Sequence, residues 1–464
     1  MTSEAPLDVA VAKDHPTGLH QRHAQSSAAQ FKDIEFKNRP SLLSSDSSTS
    51  KNYRGILNLA ILLLIITNAR LVIVNGIKYG ILLNFEIFSV HDWHHWPGVM
   101  IACTLHIFIL ATYFIEKFAA TNKLTNEKAQ QYHLINLVCE VLIPCLLVWF
   151  VQPNPASGII VMLFTTVIFA KLYSYYEVNK DLRELAGKED PSQKDTPIND
   201  SEKQTGITYP NNVTLKNMYY FICVPTLCYK LEYPRANTIR VGYLIRRILE
   251  AGFFSFLILA IVEQYIIPLV HNSLIPLNTI DLLRITERLL KLALPNLCVW
   301  LLGFYVFFHL YLNILAEITM FGDRLFYRDW WNSTNLSYFW RHWNLPVHTW
   351  IYAHVFTPVM KKGYSKNTAI FMCFFVSAFF HEVILGVPFQ MLKLWAFAGM
   401  MAQLPAIILT EPLRGHQFGN VMFWFSIVLG QPFLVLMVYR DWYQRHYADL
   451  ITADTSSAAT LQFY

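Results

Sequence analysis

The sequence predicts an all-α integral membrane protein with about nine transmembrane helices. Of its 464 residues, 54% are hydrophobic and only 15% are charged, whereas soluble domains carry about a quarter charged residues. Apolar runs of roughly 20 residues, the length of a membrane-crossing helix, recur along the chain. Lys and Arg are concentrated in alternate connections between these runs, as expected of a chain that crosses a membrane repeatedly.

The apolar runs set the number and the position of the expected helices. Nine runs are long enough to cross the hydrocarbon core: 56–83, 97–115, 133–151, 158–174, 244–270, 289–317, 367–388, 393–411 and 419–439. No repeat relates one group of runs to another, which argues against the inverted repeats of a transporter.

The connections between the runs differ in positive charge. Those after the second, fourth and sixth runs are rich in Lys and Arg, whereas segments 84–96 and 152–157 contain neither. Because cytosolic loops carry the excess of Lys and Arg, the N-terminus is predicted in the cytosol and the C-terminus in the lumen. Three N-x-S/T sequons fall on the cytosolic side and are interpreted as chance matches: Asn212, Asn332 and Asn335.

The two ends of the chain lack apolar runs. Residues 1–52 are polar and Ser-rich, a composition that cannot bury enough apolar surface to fold, and they are predicted to form a disordered cytosolic tail. Residues 53–447 are predicted to form the membrane domain and 448–464 a short lumenal tail. The chain has no basic and aromatic stripe of the kind that binds nucleic acid.

The seventh run contains an adjacent His381–Glu382 pair, and ionisable residues at membrane depth indicate function because burying them is costly. The H-E-x-x-H pattern of a zinc site is absent, since position 377 is Ser and position 385 is Leu, so no metal is predicted. A neutral imidazole accepts a proton at cytosolic pH, which favours a general base. Glu382 points about 100° around the helix from His381 and is expected to structure the site or bind the acceptor.

The connection after the sixth run, residues 321–362, mixes tryptophans with basic and amide side chains. This composition suits a surface at the headgroup level or a site in which aromatic bodies pack while their polar edges bind. A plain aromatic belt is the alternative. Lys361 and Lys362 would attract the phosphates of a soluble cofactor or serve as ordinary interfacial lysines.

Within this connection, one segment resembles the F-Y-x-D-W-W-N motif shared by sterol and diacylglycerol acyltransferases of the membrane-bound O-acyltransferase superfamily: Phe326, Tyr327, Arg328, Asp329, Trp330, Trp331 and Asn332. Asn344 and His381 resemble the Asn/His pair of that superfamily. Further agreement at 394–403 and 430–432 is similar to the animal-type diacylglycerol O-acyltransferase branch, and the resemblance covers roughly residues 38–447.

The resemblance implies an enzyme of the endoplasmic reticulum membrane, built as a bowl of helices around a buried reaction chamber. It would transfer the acyl group of fatty acyl-CoA to diacylglycerol in contact with membrane lipids, and it would need no cofactor beyond that co-substrate. The family forms homodimers, with residues near 38–55 contributing contacts. His381 would be the catalytic base, with Asn344 and Glu382 as further catalytic residues.

The same resemblance assigns binding residues. The substrate chamber would be lined by Gln403, Gln431, Trp343, His348, Met400 and Ser377. Acyl-CoA would be held by the F-Y-x-D-W-W-N segment, Lys361 and Lys362. Three other readings stay open: an acyltransferase for sterols or other lipid alcohols such as retinol and long-chain alcohols, a transporter, and a structural membrane-shaping protein.

Overall fold

The computed structural model describes four parts of the chain, residues 54–82, 97–186, 208–274 and 281–446. These parts are predominantly α-helical, and no β-strand occurs within them. The predictions for the two tails, and for the dimer-contacting segment before residue 54, concern residues outside these parts.

The main helices follow one another along the chain as follows: α1 (Arg54–Tyr79), α2 (Pro97–Ala120), α3 (Asn126–Val151), α4 (Pro155–Ala186), α5 (Leu215–Cys223), α6 (Val241–Ile261), α7 (Ile267–His271), α8 (Leu282–Phe304), α9 (Leu312–Ile318), α10 (Leu336–His342), α11 (Leu345–Ile351), α12 (Thr357–Lys361), α13 (Lys366–Gly386), α14 (Trp395–Met401), α15 (Gln403–Thr410) and α16 (Gln417–His446). One-turn π-helical segments join α6 to α7, α8 to α9 and α11 to α12. Each of these three pairs is therefore one helix with a local widening.

The chain divides into two compact units, Met1–Ile77 and Lys78–Tyr464. In the first unit the structure describes most of α1, whose apolar side chains are exposed at Leu62 and Ile65. The second unit contains the other helices. Its outer surface is also apolar, with Phe150 76% exposed. Large exposed apolar areas are unusual in a soluble protein and suit contact with lipid.

Eight helices of the described parts are long and apolar enough to cross a membrane. They are Gly98–Ala120, Asn126–Val151, Pro155–Leu185, Val241–His271, Leu282–Ile318, Lys366–Gly386, Trp395–Leu413 and Gln417–Arg445, and they match the second to ninth apolar runs. Helix α1 covers residues 56–79 of the first run and is not among the eight. The prediction of a multi-span, all-helical membrane protein is confirmed.

Helix α4 extends 12 residues beyond the end of the fourth predicted run at 174, because its polar residues find partners. Lys171 is buried and its ammonium donates to the backbone carbonyls of Phe221 and Val224, at 2.9 and 2.7 Å. In the last turn of the helix, Arg183 pairs with the buried Glu116 of α2. The free carbonyls at the end of α5 are thereby satisfied and α5 is held against α4.

Residues 321–362, predicted as a connection, fold into the short helices α10 to α12 and a 3₁₀ turn at Trp330–Asn332. Side-chain caps start two of the helices: Asn335 accepts from the Tyr338 backbone N–H at 2.9 Å, and Asn344 accepts from that of Val347 at 3.2 Å. Asn335 is itself buried, so the sequon at this position is inaccessible. This helical layer lies against α13, which carries His381.

Candidate active site

Helix α13 presents one face on which His381 lies. Residues three, four and seven positions apart share a face of an α-helix, so Phe374 and Ser377 lie on the same side as His381. The helix begins with a cap in which the Ser365 hydroxyl accepts from the Thr368 backbone N–H at 3.2 Å. After this cap the helix runs for 21 residues without a proline.

Three ring contacts hold α13 among its neighbours. They are Phe380 with Phe169 of α4, Phe375 with Phe397 of α14, and Phe374 with Trp340 of α10, at 4.9, 5.7 and 5.8 Å between ring centroids. Since Phe374 and His381 share a face, α10 lies on the side of α13 that carries the imidazole. The turn between α10 and α11, which contains Asn344, therefore belongs to the same side of the site.

The His381 imidazole is anchored through one of its two nitrogens. Its Nδ1 lies 2.7 Å from the backbone carbonyl oxygen of Ser377 and 3.4 Å from the Ser377 hydroxyl. A carbonyl oxygen only accepts, so Nδ1 carries the hydrogen and Nε2 holds the lone pair. His381 is exposed although its neighbours on α13 contact other helices.

Glu382 points away from the imidazole and into the contact with α14. It is buried, and its two carboxylate oxygens accept from the backbone N–H groups of Leu394 and Phe397, each at 3.0 Å. These donors belong to the first turn of α14, where a negative charge is favoured by the helix dipole. Glu382 therefore fixes the start of α14 relative to α13, which gives it a positioning role.

Asn344 begins α11, and its Oδ1 accepts from the Val347 backbone N–H. The cap orients the side chain so that the Nδ2 group is the part left to donate. The part of the chain that the structure describes contains no hydrogen bond between Asn344 and His381. The two residues share one side of the site without direct contact.

Of the six residues expected to line the substrate chamber, Ser377 lies on α13 and the other five fall into two groups. Trp343 belongs to an aromatic cluster, where it stacks on Trp300 at 5.8 Å between centroids, while the His348 ring stacks on Tyr352 at 6.5 Å. The other group lies on α14 to α16: Met400 is buried and packs in the core, whereas Gln403 and Gln431 are half-buried. Gln403 donates to the Gly399 carbonyl at 3.4 Å.

The aromatic residues of the F-Y-x-D-W-W-N segment mostly face inward. Phe326 and Trp330 are 3% and 2% exposed, so they support the site from within the core. The Tyr327 hydroxyl lies 2.8 Å from Nδ1 of His309, which ties the segment to the π-helical turn after α8. His309 is a residue that the sequence analysis passed over, although a histidine within the sixth run was a signal.

The polar residues of the same segment face outward. Arg328, Asp329, Trp331 and Asn332 are exposed. The Asp329 carboxylate accepts from the Tyr338 hydroxyl at 2.8 Å and from the Asn332 amide at 3.3 Å, and these bonds lower the pKa of Asp329. Lys361 and Lys362 are exposed at the end of α12. These groups, unlike Phe326 and Trp330, are accessible at the surface of the protein.

Two histidines of the helical layer are held neutral. Burial lowers the pKa of His354 to about 4, and its Nε2 lies 2.8 Å from the Ser174 hydroxyl. Burial, followed by the charges of Arg341 and His342, lowers the pKa of His348. Both imidazoles are therefore uncharged at neutral pH.

The helices also bury acidic residues that the sequence analysis passed over. Glu116 of α2 is fully buried against Arg183, with His133 at 3.2 Å and the Tyr209 hydroxyl at 3.2 Å. Glu140 of α3 is fully buried, and the residues that the structure describes offer its carboxyl group no hydrogen-bond partner. Glu140 lies inside the third apolar run. The argument that an ionisable residue at membrane depth indicates function, which singled out His381, applies to Glu140 as well.

Comparison with known proteins identifies the family. The family model described as "MBOAT, membrane-bound O-acyltransferase family" matches residues 93–439, three quarters of the chain, and includes both Asn344 and His381. The chain belongs to the membrane-bound O-acyltransferase family. It is therefore an acyltransferase of the all-helical, multi-span type that the fold shows.

Within the membrane-bound O-acyltransferases, the chain is similar to proteins named diacylglycerol O-acyltransferase 1. It is 52% identical over 407 residues to the one of Dictyostelium discoideum, covering 88% of this chain and 65% of that protein. It is 40% identical over 439 residues to the human one, covering 94% of this chain and 88% of that protein. A soybean relative, diacylglycerol O-acyltransferase 1B, is 38% identical over 457 residues, or 95% of this chain and 89% of that protein.

Proposed function

We propose that this membrane-bound O-acyltransferase makes triacylglycerol from 1,2-diacylglycerol and fatty acyl-CoA, with His381 as the general base. The acceptor is the one that the names of its relatives give, and fatty acyl-CoA is the donor that the family resemblance implies. The mechanism rests on one observation, the hydrogen bond that commits Nδ1 of His381 to the Ser377 carbonyl and leaves Nε2 basic.

In the proposed reaction, Nε2 of His381 removes the proton of the diacylglycerol hydroxyl as its oxygen attacks the thioester carbonyl. The new ester C–O bond forms and the C–S bond breaks, so that coenzyme A leaves as a thiolate. The imidazolium then returns the proton to that thiolate. This direct transfer needs no covalent enzyme intermediate.

A donor to the developing oxyanion would lower the barrier further. The Asn344 amide is one candidate, because its cap leaves Nδ2 as a donor on the side of α13 that carries His381. Contact with coenzyme A near the sulfur is the other role that this amide would serve. Both roles require substrate to lie between α11 and α13.

The exposed polar groups of residues 328–332, together with Lys361 and Lys362, are proposed to bind the nucleotide part of acyl-CoA. Their side of the molecule is the side that Lys and Arg mark as cytosolic, where acyl-CoA is available. Diacylglycerol would enter from the bilayer. We further propose residence in the endoplasmic reticulum membrane, with a cytosolic N-terminus and a lumenal C-terminus, and assembly as a homodimer.

An acceptor-competition assay tests this function. Purified enzyme is given labelled oleoyl-CoA together with diacylglycerol, cholesterol, retinol and a long-chain alcohol, and the labelled esters are separated. Triacylglycerol should dominate; a predominant sterol or retinyl ester would reassign the acceptor while keeping the base. Labelled acyl transfer that persists in His381→Ala would reject the base, provided that the variant elutes and unfolds like the unmodified enzyme.

A further inference from the structure

A charged cavity lies where four helices of the second unit end together, and His381 is not among its lining residues. It is an open cavity of about 390 Å³, lined by Met391, Leu392, Lys393, Asp441, Gln444 and Arg445. Trp149, the third residue from the end of α3, lies close to this cavity, because the side-chain amide of Gln390 donates to its backbone carbonyl at 3.0 Å. The end of α13, the start of α14 and the end of α16 meet α3 here.

This level is at the membrane surface. Crossing helices end where the hydrocarbon ends, and tryptophans gather at that boundary. Trp149 and Trp395 occupy it at the ends of α3 and α14. Next to the cavity the apolar side chains of Leu392 and Leu394 are 66% and 51% exposed, a surface that suits acyl chains.

The cavity carries an excess of positive charge. Asp441 is buried, and its Oδ2 receives both the Lys393 ammonium at 3.2 Å and the Trp395 indole N–H at 2.7 Å. Arg445 donates to the Gln390 carbonyl and lies 5.4 Å from the Trp149 ring centroid. Among the lining residues that the structure describes, Asp441 is one carboxylate beside two cations, Lys393 and Arg445. A guanidinium has five N–H donors, so Arg445 can bind further acceptors besides the Gln390 carbonyl.

Basic residues at this position run against the charge pattern of the chain. The level lies on the side that contains segment 152–157, which has no Lys or Arg, the side predicted to be lumenal. Lys and Arg on that side do not contribute to the orientation of the chain in the membrane. Two of them at one cavity favour an anionic ligand there.

We propose that this cavity binds the phosphate of a membrane phospholipid, whose acyl chains lie along Leu392 and Leu394. Lys393 and Arg445 hold the phosphate, and Asp441 positions the ammonium of Lys393. A smaller cavity lined by Glu382, Gly386, Met391 and Lys393 adjoins it. The bound lipid therefore braces the segment that Glu382 ties to α14. This site is independent of the acyl donor and the acceptor.

Native mass spectrometry of the full-length detergent-purified protein tests the proposal. The probes are dioleoyl-phosphatidylglycerol, dioleoyl-phosphatidylcholine and monogalactosyl-diacylglycerol, a lipid without phosphate. The variants are Lys393→Gln and Arg445→Gln, with Arg284→Gln as the matched control, because Arg284 is an exposed cation at a helix start on the same predicted side.

The unmodified protein and the Arg284→Gln control should retain a phospholipid, and each of the other variants should bind it about tenfold more weakly. Phospholipid should also raise the Tm of the unmodified protein more than the galactolipid does, a comparison that needs no variant to fold. Equal retention by Lys393→Gln, equal retention of the galactolipid, or displacement of the lipid by millimolar inorganic phosphate would each overturn the proposal.

Discussion

The Nδ1 atom of His381 lies 2.7 Å from the backbone carbonyl oxygen of Ser377, one turn earlier in α13. Because a carbonyl oxygen can only accept, this bond with the helix backbone fixes the tautomer in which Nδ1 carries the hydrogen. A backbone partner cannot be lost by substitution. The imidazole therefore keeps this hydrogen bond whichever side chain stands at position 377. The Ser377 hydroxyl, at 3.4 Å, is the weaker of the two contacts.

The first prediction separates these two contacts. Ser377→Ala keeps the carbonyl and should change kcat by less than about fivefold, the equivalent of one weak hydrogen bond. His381→Ala removes the base and should lower kcat by about 10² to 10⁴-fold. Both are measured as acyl transfer from labelled oleoyl-CoA with Tm as the check on folding. A loss in Ser377→Ala as large as that in His381→Ala would contradict the backbone anchor.

The second prediction concerns the connection between Glu382 and α14. A methyl group on Gly386 would lie 2.7 Å from the Met391 carbonyl oxygen and 2.9 Å from Oε1 of Glu382. Gly386→Ala should therefore disturb the carboxylate, destabilise the protein by about 1–3 kcal/mol and lower activity. Gly399→Ala is the matched control, since its methyl group would meet Leu434 at 3.7 Å, an ordinary contact. Thermal unfolding with equal Tm for the two variants would argue against this reading.

The third prediction is a pH dependence of stability. The pKa of His354 is lowered by burial to about 4, below the value of about 6.5 expected in the unfolded chain. The unfolded chain therefore binds more protons between these values, and stability should fall as pH drops from about 6.5 towards 4. His354→Gln should flatten the Tm profile in that window, while the same change at the exposed His416 should not. An unchanged slope in His354→Gln would exclude His354 as its source.

The fourth prediction concerns acyl-CoA. Arg328 is exposed while Phe326 and Trp330 of the same segment are buried, so Arg328→Gln should raise the KM for acyl-CoA about tenfold with little change in Tm. Trp330→Ala should instead lower Tm, because it removes a buried ring worth about 3–5 kcal/mol. Arg414→Gln, at an exposed position, is the control. Steady-state kinetics that show an unchanged KM in Arg328→Gln would remove this residue from the acyl-CoA site.

Much of the architecture was predictable because it depends on local sequence. Eight of the nine apolar runs coincide with helices long and apolar enough to cross a membrane, since the length of an apolar run is set by the hydrocarbon thickness. His381 could also be singled out from the sequence, because an imidazole in an apolar helix is costly to bury, and its role as the base stays a prediction.

The tertiary structure decided which polar groups meet. Lys171 and Arg183 allow α4 to continue because their partners, the end of α5 and Glu116, are 50 or more residues away in sequence. Glu382 was recognisable as unusual, but only the fold shows that it holds the start of α14. Apolar periodicity is a property of neighbouring residues, whereas the partner of a buried charge comes from a distant segment, and no local pattern records it.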